Sequence, residues 1–434
     1  MEQAKTVFRN FPISFPFSMR TTYSLPISVI RKRKIWNGPY LINGRDEEMK
    51  RIMIHAYTKL NLGDDLFIKV LCERYPDTRF ILPARKEYKQ CLASLPNLSV
   101  YPIESVWVRG VRKLLKKLDD VDLQKILLKR LAGRCDGVVQ VGGSMYMQGE
   151  SWKRDYSWKL DVFDTKKPFY VLGANFGPYK DDLFYEKYRE LFSTYTDICF
   201  RDQYSHELYK DLGNVRLAPD IIFQHPQEAH PESGKHIVIS VIKPSARDSL
   251  KDLDSMYYNK IKDIAVAFIQ EGHEVKLMSF CKHEGDEDAA SAILSLIPQP
   301  YADHASLYFY KTNLEEAIGI LASSSMIIAT RFHAMILGWV FGKPVFPVAY
   351  SDKTINVMND AHFTGAYADL KTMESLEPES VVRSFDTNRL NVSVLARQAE
   401  KHFEKLDHYL GKSKNAEEAA AITPAVFARR GHES

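Results

Sequence analysis

Short apolar runs alternate with amphipathic stretches along the chain from Arg51 to about Leu212. The apolar runs predict buried strands of a parallel sheet, and the amphipathic stretches predict helices that cover both faces of it. The predicted strands are RIMIHAY, RFILPA, CDGVVQVGG, PFYVLGANFGP and ICFRD.

The same pattern starts again after a polar, proline-bearing connector at 225–236, HPQEAHPESGKH. Strands are predicted at HIVISVI, HEVKLMSF, MIIAT and PVFPVAY, and helices near 256–271 and 285–297. The predicted fold class is therefore α/β, with two Rossmann-like doubly wound domains that face a cleft.

The pattern divides the chain into five parts. We expect a flexible basic extension at 1–48, a first domain at 49–224, a second at 236–378, a helical segment at 379–410 that could lie across both, and a disordered tail at 411–434. The extension has neither helical periodicity nor the apolar stretch of a signal peptide. Met49 is a candidate translation start, and an alternative role for the extension is contact of residues 31–34 (RKRK) with anionic lipid.

Composition narrows the classes of function. The 434 residues include 59 Lys and Arg against 55 Asp and Glu, and the basic residues are spread out, which argues against duplex nucleic-acid binding. The five cysteines are odd in number and lack a CxxC pair, which argues against a disulfide framework and a structural zinc site and favours a reducing compartment. No apolar run reaches the roughly 20 residues of a membrane-spanning helix, so a soluble protein is expected.

Ligands of open α/β sheets bind beyond the carboxyl ends of the strands, so polar residues at these ends are candidates. One acid of the pair Asp64 and Asp65 is interpreted as the N-cap of the following helix. The other acid is not needed for capping and could hold or deprotonate a sugar hydroxyl. Gly142, Gly143 and the strand end that carries Asn175 either form ordinary turns or line a ligand crevice.

Three cations and a histidine also follow predicted strands. Arg201 either pairs with Asp202 or a neighbouring helix, or forms a fork for a carboxylate or phosphate. Arg331 and His333 precede an apolar helix whose N-terminus favours anions, and Lys353 follows a further strand. A bound anion would raise the pKa of His333 and keep the ring cationic near neutrality, as a general acid requires. The alternative is a histidine that caps its helix or is satisfied in the core.

Six segments, in this order and spacing, resemble the polysaccharide pyruvyl transferase family: IHAYTKLNLGDDLFIKVL, VQVGG, LGANFGP, FRDQYS, RLAPD, and ATRFHAMILGWVFGKPVF followed by SDK. The resemblance covers about residues 50–375. It implies a GT-B-like fold with the acceptor on the first domain and the donor on the second. The implied reaction moves the pyruvyl group of phosphoenolpyruvate onto sugar hydroxyls of a surface-polysaccharide precursor, forms a ketal and releases phosphate.

The resemblance also implies roles for individual residues. The R-x-H signature falls on Arg331 and His333, the RD arginine on Arg201 and the GD acid on Asp64, while Lys353 matches a lysine after the penultimate strand. The two arginines and the lysine are expected to bind the donor. His333 is expected to protonate the methylene carbon of the donor, and Asp64 to accept the proton of the attacking hydroxyl.

This sequence departs from the family pattern at two places. Ser144 follows the paired glycines where the family commonly has asparagine, and TKLN lengthens the first loop. The serine argues against a side-chain role at position 144, and with the longer loop the acceptor pocket is expected to differ from that of shorter members.

The scheme requires no cofactor besides phosphoenolpyruvate as co-substrate, and no cluster of His, Cys or carboxylates has the spacing of a metal site. The expected partners are phosphoenolpyruvate and a saccharide acceptor, with lipid linkage and oligomeric state left open; no nucleic acid and at most peripheral membrane contact are expected. The expected location is the cytoplasm, including the inner face of the membrane. The alternatives are a GT-B glycosyltransferase that uses a nucleotide sugar and a non-catalytic glycan-binding relative.

Overall fold

Two parallel β-sheets form the framework of the protein in a computed structural model, which describes residues 49–103, 122–163, 166–226 and 234–412. The strands of the first sheet are β1 (Arg51–His55), β2 (Arg79–Ala84), β3 (Leu98–Pro102), β4 (Gly137–Val141), β5 (Phe169–Ala174), β6 (Asp197–Phe200) and β7 (Val215–Leu217). They lie in the order β3-β2-β1-β4-β5-β6-β7.

The second sheet repeats this plan. Its strands are β8 (His236–Ser240), β9 (Glu274–Ser279), β10 (Ala305–Phe309), β11 (Met326–Ala329), β12 (Val345–Ala349) and β13 (Ala368–Asp369), in the order β10-β9-β8-β11-β12-β13. In each sheet the first strand lies in the middle and the chain winds outward in both directions, which is the doubly wound topology. The predicted fold class is confirmed.

Helices connect the strands and cover the sheets. Those of the first half are α1 (Leu62–Arg74), α2 (Tyr88–Cys91), α3 (Leu123–Arg134), α4 (Trp152–Phe163), α5 (Asp182–Phe192) and α6 (Gln203–Tyr209). Those of the second half are α7 (Asp254–Gln270), α8 (Asp286–Leu296), α9 (Gln299–Ala302), α10 (Leu314–Ser323), α11 (Phe332–Val340) and α12 (Asp352–Asp360). The chain ends in α13 (Pro378–Arg383), α14 (Ser393–Ala399) and α15 (Glu404–Leu410).

The sequence pattern does not predict four of the strands, β3, β7, β10 and β13, and all four lie at sheet edges. The central strands β4, β5, β6, β11 and β12 are buried at every residue, whereas β3 has no buried residue and β10 has one. An edge strand has a neighbour on one side only, so its sequence need not be continuously apolar.

The carboxyl ends of the two sheets are held together at the start of α1. The amide of Leu62 donates to the carbonyl of Phe280, just after β9, at 3.1 Å. Asp65 is fully buried and accepts hydrogen bonds from the hydroxyls of Tyr88 and Tyr310, each at 2.6 Å. Since Tyr310 follows β10, this carboxylate joins the two halves.

The last helices cross from the second half back to the first. Val381 of α13 packs in the core of the second sheet, whereas Phe403 and Leu406 pack in a core cluster that contains β1. Asp407 forms an ion pair with Arg74 of α1 at 2.7 Å.

The predicted extension at 1–48 and all but two residues of the predicted tail at 411–434 lie outside the described residues. Among the described helices, none combines the length and the hydrophobicity needed to span a membrane.

Candidate active site

A cavity of about 950 Å³ lies where the carboxyl ends of the two sheets face each other. It brings together the side chains of six of the eight predicted site residues, which are Asp64, Asn175, Arg201, Arg331, His333 and Lys353. Gly142 and Gly143 do not line it. A cavity of this size is typical of small-molecule sites, for which about 300–1,000 Å³ is usual.

Arg201 leaves the end of β6 and is held by two buried partners. Its Nη1 atom lies 2.8 Å from Oδ2 of Asp220, and its Nη2 atom donates to Oδ1 of Asn175 at 2.8 Å. Of the predicted alternatives, Asp202 is not the partner, because its carboxylate caps α6 by accepting from the amide of Ser205 at 2.8 Å. The partner Asp220 caps a neighbouring 3₁₀ helix, Ile221–Gln224, as the second alternative expected. Arg201 thus has a fixed position in the wall of the cavity.

His333, in the first turn of α11, meets Arg201 across the cleft. The Nε2 atom of the ring lies 3.3 Å from Nη1 of Arg201. A guanidinium can only donate, so Nε2 is the acceptor and the neutral ring carries its proton on Nδ1. Burial, followed by the charges of Arg201, Lys353 and Arg331, lowers the pKa of His333 well below its ordinary value. The neighbouring positive charges therefore keep the His333 ring neutral, contrary to the expected cationic ring. A bound anion would be needed to raise its pKa again.

Two glycines make this arrangement possible. A Cβ atom on Gly63 would lie 1.7 Å from Nδ1 of His333, and one on Gly143 would lie 2.3 Å from Nη2 of Arg201. Gly142 has a φ of +140°, a conformation that side chains rarely adopt. Of the paired glycines that were expected to line the crevice, Gly143 instead makes room for the guanidinium of Arg201, while Gly63 makes room for the imidazole of His333.

Arg331 is engaged more fully than a free anion-binding fork would be. Its Nε atom donates to Oδ2 of Asp286 at 2.9 Å, its Nη2 atom to the other oxygen of that carboxylate, and its Nη1 atom to Oε2 of Glu284 at 2.7 Å. Asp286 is fully buried and also accepts from the amides of Phe280 and Cys281. Arg331 was expected to bind the donor with its guanidinium, but the carboxylates of Asp286 and Glu284 already accept hydrogen bonds from that group.

Two further cations surround Tyr350. Nη2 of Arg247 lies 2.7 Å from Glu284, and its guanidinium lies 4.7 Å from the Tyr350 ring. The Nζ atom of Lys353 lies 5.7 Å from the same ring, and within the described residues no carboxylate lies at ion-pair distance from it. Burial favours a raised pKa of Tyr350, but Lys353, Arg247 and Arg331 outweigh it and lower the pKa.

Asp64 lines the same cavity from the first turn of α1, directly after Gly63, which packs against His333. Burial raises the pKa of its carboxyl to about 7, although Arg201, Lys353 and Arg331 act in the lowering direction. The helix is capped by Asn61, whose Oδ1 accepts from the amide of Gly63 at 3.2 Å, so neither aspartate is the N-cap. Asp64 is therefore free to change its charge near neutral pH.

Sequence reasoning missed several residues of this site. Asp220 stands in RLAPD, a segment that carries the resemblance but received no role, and Glu284 and Asp286 stand in KHEGDEDA, which looks like a solvated helix start. Arg247 and Tyr350 follow strand ends, and that position is the signal that could have identified them.

Charges of both signs surround the cavity. It is lined by the cations Arg201, Arg247, Arg331, Lys353 and Lys371 and by the carboxyl groups of Asp64, Asp202, Glu284 and Asp352, while Asp220 and Asp286 pair with two of the arginines. The charge of a small anion bound at these cations would be offset by proton uptake at His333. Within the described residues no group of three or more His, Cys, Asp or Glu side chains is arranged to hold a metal ion.

Comparison with known sequences gives one family. A family model described as "Polysaccharide pyruvyl transferase" matches residues 61–352. The "Amylovoran biosynthesis protein AmsJ" of Erwinia amylovora is 24% identical over 262 residues, which are 55% of this chain and 62% of that protein. The chain thus matches less than two thirds of that relative's length.

Comparison with solved structures concerns the fold alone. The UDP-GlcNAc 2-epimerase of Neisseria meningitidis, solved with bound UDP-GlcNAc, has a TM-score of 0.51 and 10% identity, over 82% of this chain and 99% of that one. Alr3699/HepE of Anabaena in complex with UDP-glucose has a TM-score of 0.49 and 10% identity, over 85% of this chain and 100% of that one. Together with the two doubly wound sheets, the likeness to the epimerase confirms the GT-B-like arrangement.

Proposed function

Since the chain belongs to the polysaccharide pyruvyl transferase family, we propose that it moves the pyruvyl group of phosphoenolpyruvate onto hydroxyls of a surface-polysaccharide precursor. The products are a ketal of the acceptor and inorganic phosphate. The observation that carries the proposal is the meeting of Arg201 and His333 from opposite halves, with Asp64 in the same cavity.

The cations of the cavity suit the donor. Phosphoenolpyruvate carries a phosphate and a carboxylate close together, and such groups bind best to charged hydrogen-bond donors. Lys353 is the first contact, because Arg201 is held by Asp220 and Asn175, and because Arg331 and Arg247 share Glu284. The two arginines reach the donor when its anionic groups compete for their N–H groups.

Donor binding also promotes protonation of His333, the proposed general acid. The phosphate and carboxylate offset the charges of Arg201 and Lys353, which together with burial keep His333 neutral. The ring then takes up a proton at Nε2 in place of the contact with Arg201. His333 delivers this proton to the methylene carbon, and the central carbon becomes electrophilic.

Asp64 completes the reaction in the same cavity. Its carboxylate accepts the proton of the first sugar hydroxyl as the oxygen bonds to the central carbon, and a pKa near 7 suits a base that must gain and lose a proton. The carbon–oxygen bond to phosphate then breaks, Asp64 passes the proton it accepted to the departing oxygen, and Arg201 and Lys353 stabilise the leaving dianion. A second hydroxyl adds to the same carbon and gives its proton to the Asp64 carboxylate, which closes the ketal.

Calorimetric titration with phosphoenolpyruvate tests the donor without an acceptor. Saturable binding is expected, and Lys353→Ala should weaken it about 10- to 100-fold, because a charged hydrogen bond is worth about 1.5–3 kcal/mol. Lys251→Ala, an exposed lysine away from the cavity, is the matched control. Binding of a nucleotide sugar in place of phosphoenolpyruvate would refute the proposal.

Titration in buffers of different ionisation enthalpy tests the acid. Phosphoenolpyruvate should bind with net proton uptake at pH 7.5, since His333 is neutral before binding and cationic after it. His333→Ala should retain binding but take up fewer protons. Equal uptake by the variant would exclude His333 as the group that gains the proton.

A further inference from the structure

One wall of the cavity differs from the rest in being apolar and open to solvent. Met147 and Tyr204 line it with exposed fractions of 51% and 48%, and Pro178 beside them is also exposed. These three residues are called the acceptor platform below. Large apolar side chains exposed together in a groove commonly mark a binding surface.

The backbone beneath the acceptor platform is tied together. The loop after β4 and the loop after β5 exchange hydrogen bonds, from the amide of Gln148 to the carbonyl of Pro178 at 3.0 Å and from the amide of Gly177 to the carbonyl of Tyr146 at 2.8 Å. A Cβ atom on Gly177 would lie 4.0 Å from the Tyr204 ring, so the ring rests close against this loop. The platform is thus held in place before any ligand binds, which reduces the entropy cost of binding.

Most cations of the cavity lie elsewhere. Arg247, Arg331, Lys353 and Lys371 belong to the second half, whereas the acceptor platform belongs to the first half, together with Arg201, Asp202 and Asp64. Polar groups stand at its margin, where the exposed hydroxyl of Ser144 donates to Oδ1 of Asn175 at 3.3 Å. An apolar face with a polar margin fits an uncharged ring that has C–H groups on one face and hydroxyls around its rim.

The size of the cavity leaves room for such a ring. A volume of about 950 Å³ is at the upper end of drug-sized sites. A three-carbon donor at the cations fills a small part of it.

We infer that a neutral pyranose of the acceptor stacks on Tyr204, between Met147 and Pro178, and presents its hydroxyls toward Asp64. The inference rests on the proposed function for the identity of the reaction, and it adds the acceptor subsite and its class of ligand. Tyrosine suits this role, because its ring is apolar and its hydroxyl remains available to water or sugar.

Saturation-transfer NMR with four soluble probes tests the inference: the methyl glycosides of β-D-galactose, β-D-glucose, α-D-mannose and N-acetyl-β-D-glucosamine. At least one should give a saturable signal, strongest at the ring C–H protons. Tyr204→Ala should weaken its binding about 3- to 10-fold, the range of an aromatic contact, while Tyr204→Phe should bind like the wild type. Tyr367→Ala, which removes a tyrosine that is 49% exposed outside the cavity, is the control.

The outcomes separate this inference from the proposed function. Phosphoenolpyruvate is titrated into the same samples, and its affinity should be equal in the wild type and both Tyr204 variants. Glycoside binding that depends on Tyr204 without phosphoenolpyruvate binding would support the acceptor platform and refute the donor. Failure of all four glycosides to saturate, or equal binding by Tyr204→Ala, would overturn the platform even if the donor binds. Because the probes carry no lipid, loss of their binding cannot reflect contact with a lipid carrier.

Discussion

Gly63→Ala adds a single methyl group at the point where His333 packs against α1. The new Cβ atom would lie 1.7 Å from Nδ1 of the ring, and an ordinary contact begins near 3.4 Å, so the ring or the helix start must move by about 1.7 Å. The amide of residue 63 still donates to Asn61, which leaves the helix cap intact. The substitution therefore perturbs the position of the imidazole and little else.

The expected effect falls on the site more than on stability. A misplacement of about 1 Å at a reacting group can lower the rate on the order of 100-fold. Overpacking costs about 1–3 kcal/mol, but replacing a helical glycine by alanine returns about 0.5–1 kcal/mol, so the free energy of unfolding should fall only modestly. Gly319→Ala in α10 is the control, since nothing lies within 4 Å of the added methyl group.

Two measurements follow the imidazole directly. The ¹⁵N chemical shifts of His333 should show Nε2 as the acceptor of a hydrogen bond in the wild type and lose that signature in Gly63→Ala. Proton uptake on phosphoenolpyruvate binding should fall with it, whereas Gly319→Ala should match the wild type in both. A Gly63→Ala protein with the wild-type histidine signature and proton uptake would refute the packing described for this site.

Three further predictions concern charges. Burial raises the pKa of Asp64 to about 7 from an ordinary value near 4. Between these pH values the folded state holds a proton that the unfolded state has lost, so the stability of the protein falls as the pH rises from 4 to 7. Asp64→Asn should therefore raise the urea midpoint more at pH 8 than at pH 4, and an equal gain at both pH values would contradict the pKa shift. Glu284→Gln removes the carboxylate that neutralises two arginines, so calorimetry should show severalfold tighter binding of inorganic phosphate, and weaker binding would mean that Glu284 chiefly positions them. Tyr310→Phe removes one donor to the buried Asp65 and should lower the free energy of unfolding by about 1–3 kcal/mol in urea titrations, with Tyr367→Phe as an unaffected control.

The sequence predicts the strands that are buried on both faces, because burial leaves a continuous apolar run. It does not predict the edge strands, and β13 has only two residues. Strand ends also predict which side chains reach the cavity, since all six predicted polar side chains line it.

Pairing within the site is much harder to predict. Arg201 pairs with Asp220 instead of the adjacent Asp202, and Arg331 pairs with Asp286, a residue 45 positions earlier. These partners come into contact only after distant segments of the chain have packed together, so the hydrophobic periodicity of the sequence does not predict the pairs. The charge state of His333 depends on the same contacts, so the position of the ring could be predicted from the sequence but its protonation could not.

The return of the last helices to the first half has a mechanical consequence. The chain passes between the halves twice, once between Gln224 and His236 and again between Asp386 and Ser393. These two crossings add to the contacts of Leu62 with Phe280 and of Asp65 with Tyr310, and to a core cluster that contains residues of both sheets. Separation of Arg201 from His333 would require these contacts to break, so we expect the two side chains to stay together in the absence of a ligand.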